Sequence, residues 1–125
     1  MNDLIGLRYG WGHAPDDGSG LTDCFQLTCE VRRRLRLSSY RERFAWVYER
    51  WTEETFRNGL LLRWLLTHGD RIDSPKAGAV ALLPSAAGRA LGTCIDGGVV
   101  FIGAGQLVVR SPLPDGAATY FWMSR

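Results

Sequence analysis

Ala79-Val-Ala-Leu-Leu83, Arg89-Ala-Leu-Gly-Thr-Cys-Ile95 and Val99-Val-Phe-Ile102 are three short apolar runs separated by Pro, Ser, Gly and Asp. Such runs, too short for helices and bounded by turn residues, read as strands. Leu107–Arg110 and Thr119–Met123 continue the pattern, giving five expected strands. The short gaps between them favour an antiparallel meander. Upstream, residues 23–68 change texture. Leu27, Val31 and Leu35 recur every four residues, the stripe of a helix expected from Thr22–Cys24 to about Leu35, with Thr22 or Asp23 as N-cap. Glu30, Arg32, Arg33 and Arg36 are assigned to its polar side. Ser39 and Glu42 have capping-box spacing and predict a second helix through Trp51. A third, from Thr52 to Thr67, would bury Phe56, Leu60, Trp64 and Leu65 and stop at Gly69. Helices followed by strands define an α+β domain, with N-terminal helices packed on a roughly five-stranded antiparallel sheet.

The chain has 125 residues, 46% hydrophobic and 22% charged, with a net charge of +2. It reads as one domain, 1–125, able to bury its own core without a metal or disulfide staple. The apolar stretch Leu60–Leu66 is broken by Arg63 and too short to span a bilayer. Met1–Gly10 lacks the basic start and apolar core of a secretory signal. Three cysteines cannot pair completely, and Cys24 and Cys29, five apart, form neither a CxxC nor a metal pair. A reducing compartment, or a particle assembled in one, is the expected setting.

Residues 1–22 are loop-like, and Tyr9-Gly-Trp-Gly-His-Ala-Pro-Asp-Asp-Gly-Ser-Gly-Leu-Thr-Asp-Cys24 delivers a cysteine to the first turn of the first helix. Backbone N–H groups and the helix dipole there favour a thiolate and would hold a developing oxyanion. Cys24 is thus the candidate nucleophile, against the commoner role of a free cysteine as a small core residue. Asp16, Asp17 and Asp23 lack the oxygen spacing of an EF-hand loop and are read as turn and cap residues. No metal or cofactor is expected.

Of 15 basic residues only Lys76 is a lysine. Arg32, Arg33, Arg34 and Arg36, with Arg41 and Arg43, cluster where the first two helices meet. Either this is a solvated helix face balanced by Glu30 and Glu42, or it is a docking patch for an acidic partner surface. Five tryptophans exceed what one small core requires, so Trp46 and Trp51 join the arginines as candidate partner-binding residues. No recognised nucleic-acid-binding motif is present, and neither nucleic acid nor membrane is an expected partner.

Tyr9-x-Trp11-Gly12-x-x-Pro15, then Asp23-Cys24 on an apolar helix, resembles the NlpC-type papain-like cell-wall cysteine peptidases. Pro75-x-x-Gly78-x-Val80 is similar to that family's entry into its sheet, and Arg89–Ile95 and Val100–Ala104 to the next two strands. Val109-x-x-Pro112-Leu113 and Tyr120-Phe-Trp122 resemble the compact tail-associated members coded by phages and gene-transfer particles. The resemblance implies a papain-like fold, with Cys24 at the nucleophile position and Tyr9 and Asp23 shaping the site. It further implies a place in a virion tail assembled in the host cytoplasm, with other tail or baseplate proteins, and peptidoglycan, as partners.

Two departures count against catalysis. The position of the family's general-base histidine is read as Ala90, in the frame set by Leu91-Gly92, and a methyl group takes no proton. The polar residue that would orient that base falls at Ile102 or Gly103. Phe25 replaces a serine beside the nucleophile and is expected to crowd the cleft. His13, in the glycine loop, is the one candidate rescue base, because His68 ends the third helix. The expectation is a phage-type tail tip or baseplate component with a peptidase-like fold and no turnover. The alternative is a peptidoglycan-cleaving cysteine endopeptidase or amidase working through Cys24.

Overall fold

The computed structural model describes residues 1–55, 61–85, 88–103, 105–112 and 119–122. Phe56, Leu60, Ala104, Leu113 and Met123, each given a place above, lie outside the described residues.

The fold is mixed α+β, built on a six-stranded antiparallel sheet rather than one of five. A short pair comes first, β1 (Arg8–Tyr9) and β2 (Leu21–Thr22), which run parallel. The helices are α1 (Cys24–Arg34), α2 (Val47–Arg50), α3 (Glu53–Thr55) and α4 (Leu61–His68). The main sheet comprises β3 (Asp70–Ile72), β4 (Val80–Ser85), β5 (Gly88–Ile95), β6 (Gly98–Ile102), β7 (Val108–Ser111) and β8 (Thr119–Trp122), in the order β3-β8-β4-β5-β6-β7. The meander expected for five strands holds only from β4 to β7. β8 returns to pair with β4 on one side and with β3 on the other. Among the described residues no helix is long and apolar enough to cross a membrane.

Both faces of the sheet are buried at its centre, which explains why β4 reads as a continuous apolar run. Val80, Leu82, Leu91 and Phe121 share one cluster with Phe25 and Cys29 of α1. Ile95, Val100 and Val108 share another with Leu27 and Val31. Ala79, Ala81, Leu83, Cys94, Val99 and Tyr120 form a third, on the sheet face away from α1. The cross-strand pairs obey this division: Leu82 faces Leu91, and Leu83 faces Ala90. A buried hydrogen bond from Thr93 Oγ1 to Thr28 Oγ1 (3.0 Å) pins α1 to β5.

The second helix differs from expectation. Residues 41–46 form turns, and α2 is one turn long. Ser39 Oγ accepts from the Arg41 N–H two residues on, not from a residue three on as a capping box requires. The bonds that follow mix spans of four residues (Phe44 N–H to Tyr40 O) and three (Val47 N–H to Phe44 O). Packing of Phe44 and Val47 into the core dictates this path rather than helical periodicity. Within the span expected for the third helix, Glu53–Thr55 and Leu61–His68 are helical, and α4 ends at Gly69, whose N–H reaches Leu65 O.

At its other end α1 closes in a Schellman arrangement: the Arg36 N–H donates to Arg33 O and the Leu37 N–H to Arg32 O. The left-handed position is held by Arg36, at φ 61°, where glycine is the usual occupant.

Candidate functional site

The loop between β1 and β2 sets the start of α1. The Gly10 N–H donates to Thr22 O and the Asp23 N–H to His13 O, so the chain folds back on itself just before Cys24. Gly10 is required by this approach, since a Cβ there would lie 2.9 Å from Leu21 Cβ. Asp23 is the N-cap of α1 and is fully buried. Its Oδ1 accepts from the Gln26 N–H at 2.8 Å. Its Oδ2 accepts from the Gly12 N–H at 2.8 Å and from the Tyr48 hydroxyl at 2.7 Å. Burial pushes the Asp23 carboxyl above the ordinary range despite these three donors.

Cys24, the first residue of α1, is half-buried and packs against the core cluster that contains Leu91. Around it, Trp11 lies 5.0 Å from the Tyr48 ring, centre to centre, and Tyr48 is 6.1 Å from Phe25. The Tyr48 hydroxyl is pushed well up by burial, by the Asp23 carboxylate and by the nearby Cys24 sulfur. Tyr9 donates from its hydroxyl to Glu53 Oε1 at 2.5 Å, tying the glycine loop to α3. Phe25 is buried against Trp64 and Tyr48, so it fills the interior beneath α1 instead of crowding a surface cleft.

The position read as the missing base requires correction. Ala90 packs with Leu83 and Cys94 on the sheet face away from α1, so no side chain at that position would confront Cys24. The described residues of β5 on the α1 side are Leu91, Thr93 and Ile95. Ile102 packs against the cluster of Leu27 and Val31, and Gly103 has no side chain to orient a base.

His13 sits in the loop with Nδ1 2.9 Å from Asp17 Oδ2. Asp17 also accepts from Ser19 and from the Ala14 N–H, and these bonds hold its carboxyl far below the usual carboxylate range. His68 is placed elsewhere, against the Phe44 and Trp64 rings, where burial lowers its pKa. The three loop carboxylates do not converge: Asp16 pairs with Arg41, Asp17 serves its own turn, and Asp23 caps α1. Among the described residues no group of three or more His, Cys, Asp or Glu is arranged to hold a metal ion.

The arginine cluster is also reorganised. Arg32 is buried, at 1% exposure, and is not available as a docking residue. It donates from Nε to Ser38 O at 2.8 Å and from Nη1 to Gly78 O, with its guanidinium 4.4 Å from the Tyr40 ring centre. Glu30 is equally buried, not solvent-facing. It accepts a two-pronged bond from Arg33 (2.8 and 2.7 Å) and one from Arg34 (2.9 Å), which also reaches Asp3. Helical period locates the apolar stripe but says nothing of a second layer, and residues 36–55 supply one. Arg33 and Arg36 remain exposed. Trp46 and Trp51 are half-buried and pack edge to face at 5.3 Å. Tyr48 and Glu53 had no local signal, because their partners Asp23 and Tyr9 lie 25 and 44 residues away and are set by tertiary packing.

No family model matches the chain, and no curated protein or solved structure matches it either.

Proposed function

We propose that this chain is a peptidase-like scaffold of the NlpC type in which peptide-bond cleavage has been lost. We further propose that it serves as a structural component of a phage-type tail tip or baseplate, with neighbouring tail proteins as its partners. The tail assignment rests on the resemblance of Tyr9–Pro15, Asp23-Cys24, Pro75–Val80 and the last strand to tail-associated members of that family. The loss of cleavage is supported by one observation above the others. Among the described side chains of β5, those on the α1 side are Leu91, Thr93 and Ile95, and the Thr93 hydroxyl is bonded to Thr28. In a cysteine triad, removing the base costs on the order of 10⁴-fold.

A second reading has its own support. His13 is brought beside the helix start through its carbonyl bond to the Asp23 N–H, and its ring is paired with Asp17. A base oriented by a carboxylate is what a cysteine nucleophile requires. In this reading the chain is a peptidoglycan endopeptidase or amidase that uses Cys24, with His13 as base.

Purified peptidoglycan incubated with the full chain separates the two. Release of new amino groups no faster than with Cys24→Ala is the expected result. Release that is lost in both Cys24→Ala and His13→Ala would overturn the scaffold reading and establish the enzyme.

A further inference from the structure

We propose that Tyr48–Thr55 is a strap closed over the Cys24 end of α1. Its latches are the Tyr48–Asp23 and Tyr9–Glu53 hydrogen bonds, and its opening, rather than unfolding of the domain, sets access to the Cys24 thiol. The inference does not require that Cys24 cleave anything.

Three observations carry it. First, the segment has little structure of its own: α2 is a single turn that ends at Arg50, and Trp51 and Thr52 lie in neither helix nor strand. A single helical turn has no independent stability in water. Second, it is anchored unevenly. Val47, just before it, is fully buried, whereas Glu49, Arg50, Thr52, Glu54 and Thr55 are exposed and Tyr48, Trp51 and Glu53 are half-buried. Pieces with few buried side chains open before the core does. Third, two long-range hydrogen bonds tie it to residues flanking the site. Tyr48 bonds the N-cap carboxylate beside Cys24, and Glu53 bonds Tyr9 on the loop leading to it, across 25 and 44 residues of sequence. The Tyr48 ring meanwhile packs between Trp11 and Phe25, on the cluster that Cys24 also touches.

The other two cysteines provide an internal control. Cys29 is 0% and Cys94 1% exposed, so each reports opening of the domain itself. The full chain is pulsed with iodoacetamide at neutral pH, and labelling of each cysteine is read by peptide mass spectrometry. Cys24 is expected to label more slowly in the native chain than in the same chain unfolded in urea. Tyr48→Phe and Glu53→Gln should each speed Cys24 labelling about five- to tenfold, the net worth of one hydrogen bond; the urea dependence of labelling should be shallow for Cys24 and steep for Cys29 and Cys94, since opening the strap exposes far less surface than unfolding the domain. Tyr9→Phe, which keeps the ring, tests the second latch from the loop side. Unchanged Cys24 labelling in all three variants would overturn the strap. So would a Cys24 labelling rate that rises with urea as steeply as those of Cys29 and Cys94, because Cys24 would then be reached only by global unfolding. Failure here leaves the peptidoglycan result untouched, since that assay reads turnover and this one reads access.

Discussion

Replacing Glu30 by glutamine removes the carboxylate on which Arg33, Arg34 and Arg41 converge, at 2.7, 2.9 and 4.0 Å. Its side chain is 1% exposed, yet the arginines hold its pKa down, from an ordinary value of 4.5 to about 2. The bonds to Arg33 come first among the causes and outweigh desolvation, which acts in the opposite sense. That difference in acidity corresponds to roughly 3 kcal/mol, at about 1.4 kcal/mol per tenfold. Arg33 is 61% exposed and regains water when its partner is lost, so the net cost of Glu30→Gln should be about 2 kcal/mol at pH 7.

The pH dependence follows from the direction of the shift. A carboxylate favoured in the folded state binds its proton less readily there than in the unfolded chain. Its contribution is therefore complete above pH 4.5 and disappears as pH falls through about 2. Urea unfolding measured at intervals from pH 7 to pH 2 checks this. The wild-type curve should descend through that window, and the Glu30→Gln curve should begin lower, descend less and meet it near pH 2. Asp3 and Asp17, also held low by their hydrogen bonds, titrate in both proteins and cancel in the difference. Parallel curves, or a loss below about 0.5 kcal/mol at pH 7, the scale of an ordinary surface change, would refute the buried-anchor account and return the arginines to the surface.

Arg36→Gly relieves a left-handed residue at the end of α1 and should stabilise the domain by about 1 kcal/mol, raising the thermal midpoint by a few degrees; a lowered midpoint would show that the arginine side chain has a role of its own. Thr28→Val and Thr93→Val should each cost about 1–2 kcal/mol by stranding the other buried hydroxyl, with the double variant costing less than the sum. A double-mutant cycle in urea reads that coupling, and strict additivity would argue against the bond.

Five of the six main-sheet strands were legible because each is a short apolar run with Gly, Pro, Asp or Ser within a few residues of its ends. The sixth, Asp70-Arg-Ile72, was not: it is three residues long and two of them are exposed. Only pairing with Tyr120–Trp122 makes it a strand. Asp23 was legible as a cap because capping is local chemistry between a side chain and an N–H three residues on. The burial of Glu30 and Arg32 was not, since periodicity describes one face of α1 and the segment covering the other is irregular. Ala90 shows how a strand magnifies a small error. Side chains alternate across a sheet, so a frame displaced by one residue places the expected partner of Cys24 on the wrong face.

The Asp-Cys pair at the head of α1 carries a tension that bears on the scaffold reading. A helix N-terminus favours an anion because its first N–H groups have no partners within the helix. Here the Gln26 N–H is already spent on Asp23 Oδ1, and the Gly12 N–H, which the loop could have offered to a developing oxyanion, is spent on Oδ2. The local field that would stabilise a Cys24 thiolate thus acts on a carboxylate one residue earlier. When ionised, that carboxylate opposes a second negative charge beside it. Tyr48 adds a third donor to the same oxygen pair and brings its ring over the site. The sequence places a thiol where helices make thiols reactive, whereas the fold directs those donors to fastening the loop, α1 and the Tyr48 segment together. That use of the N-terminal donors serves cohesion more than chemistry, which favours the scaffold we propose over the enzyme.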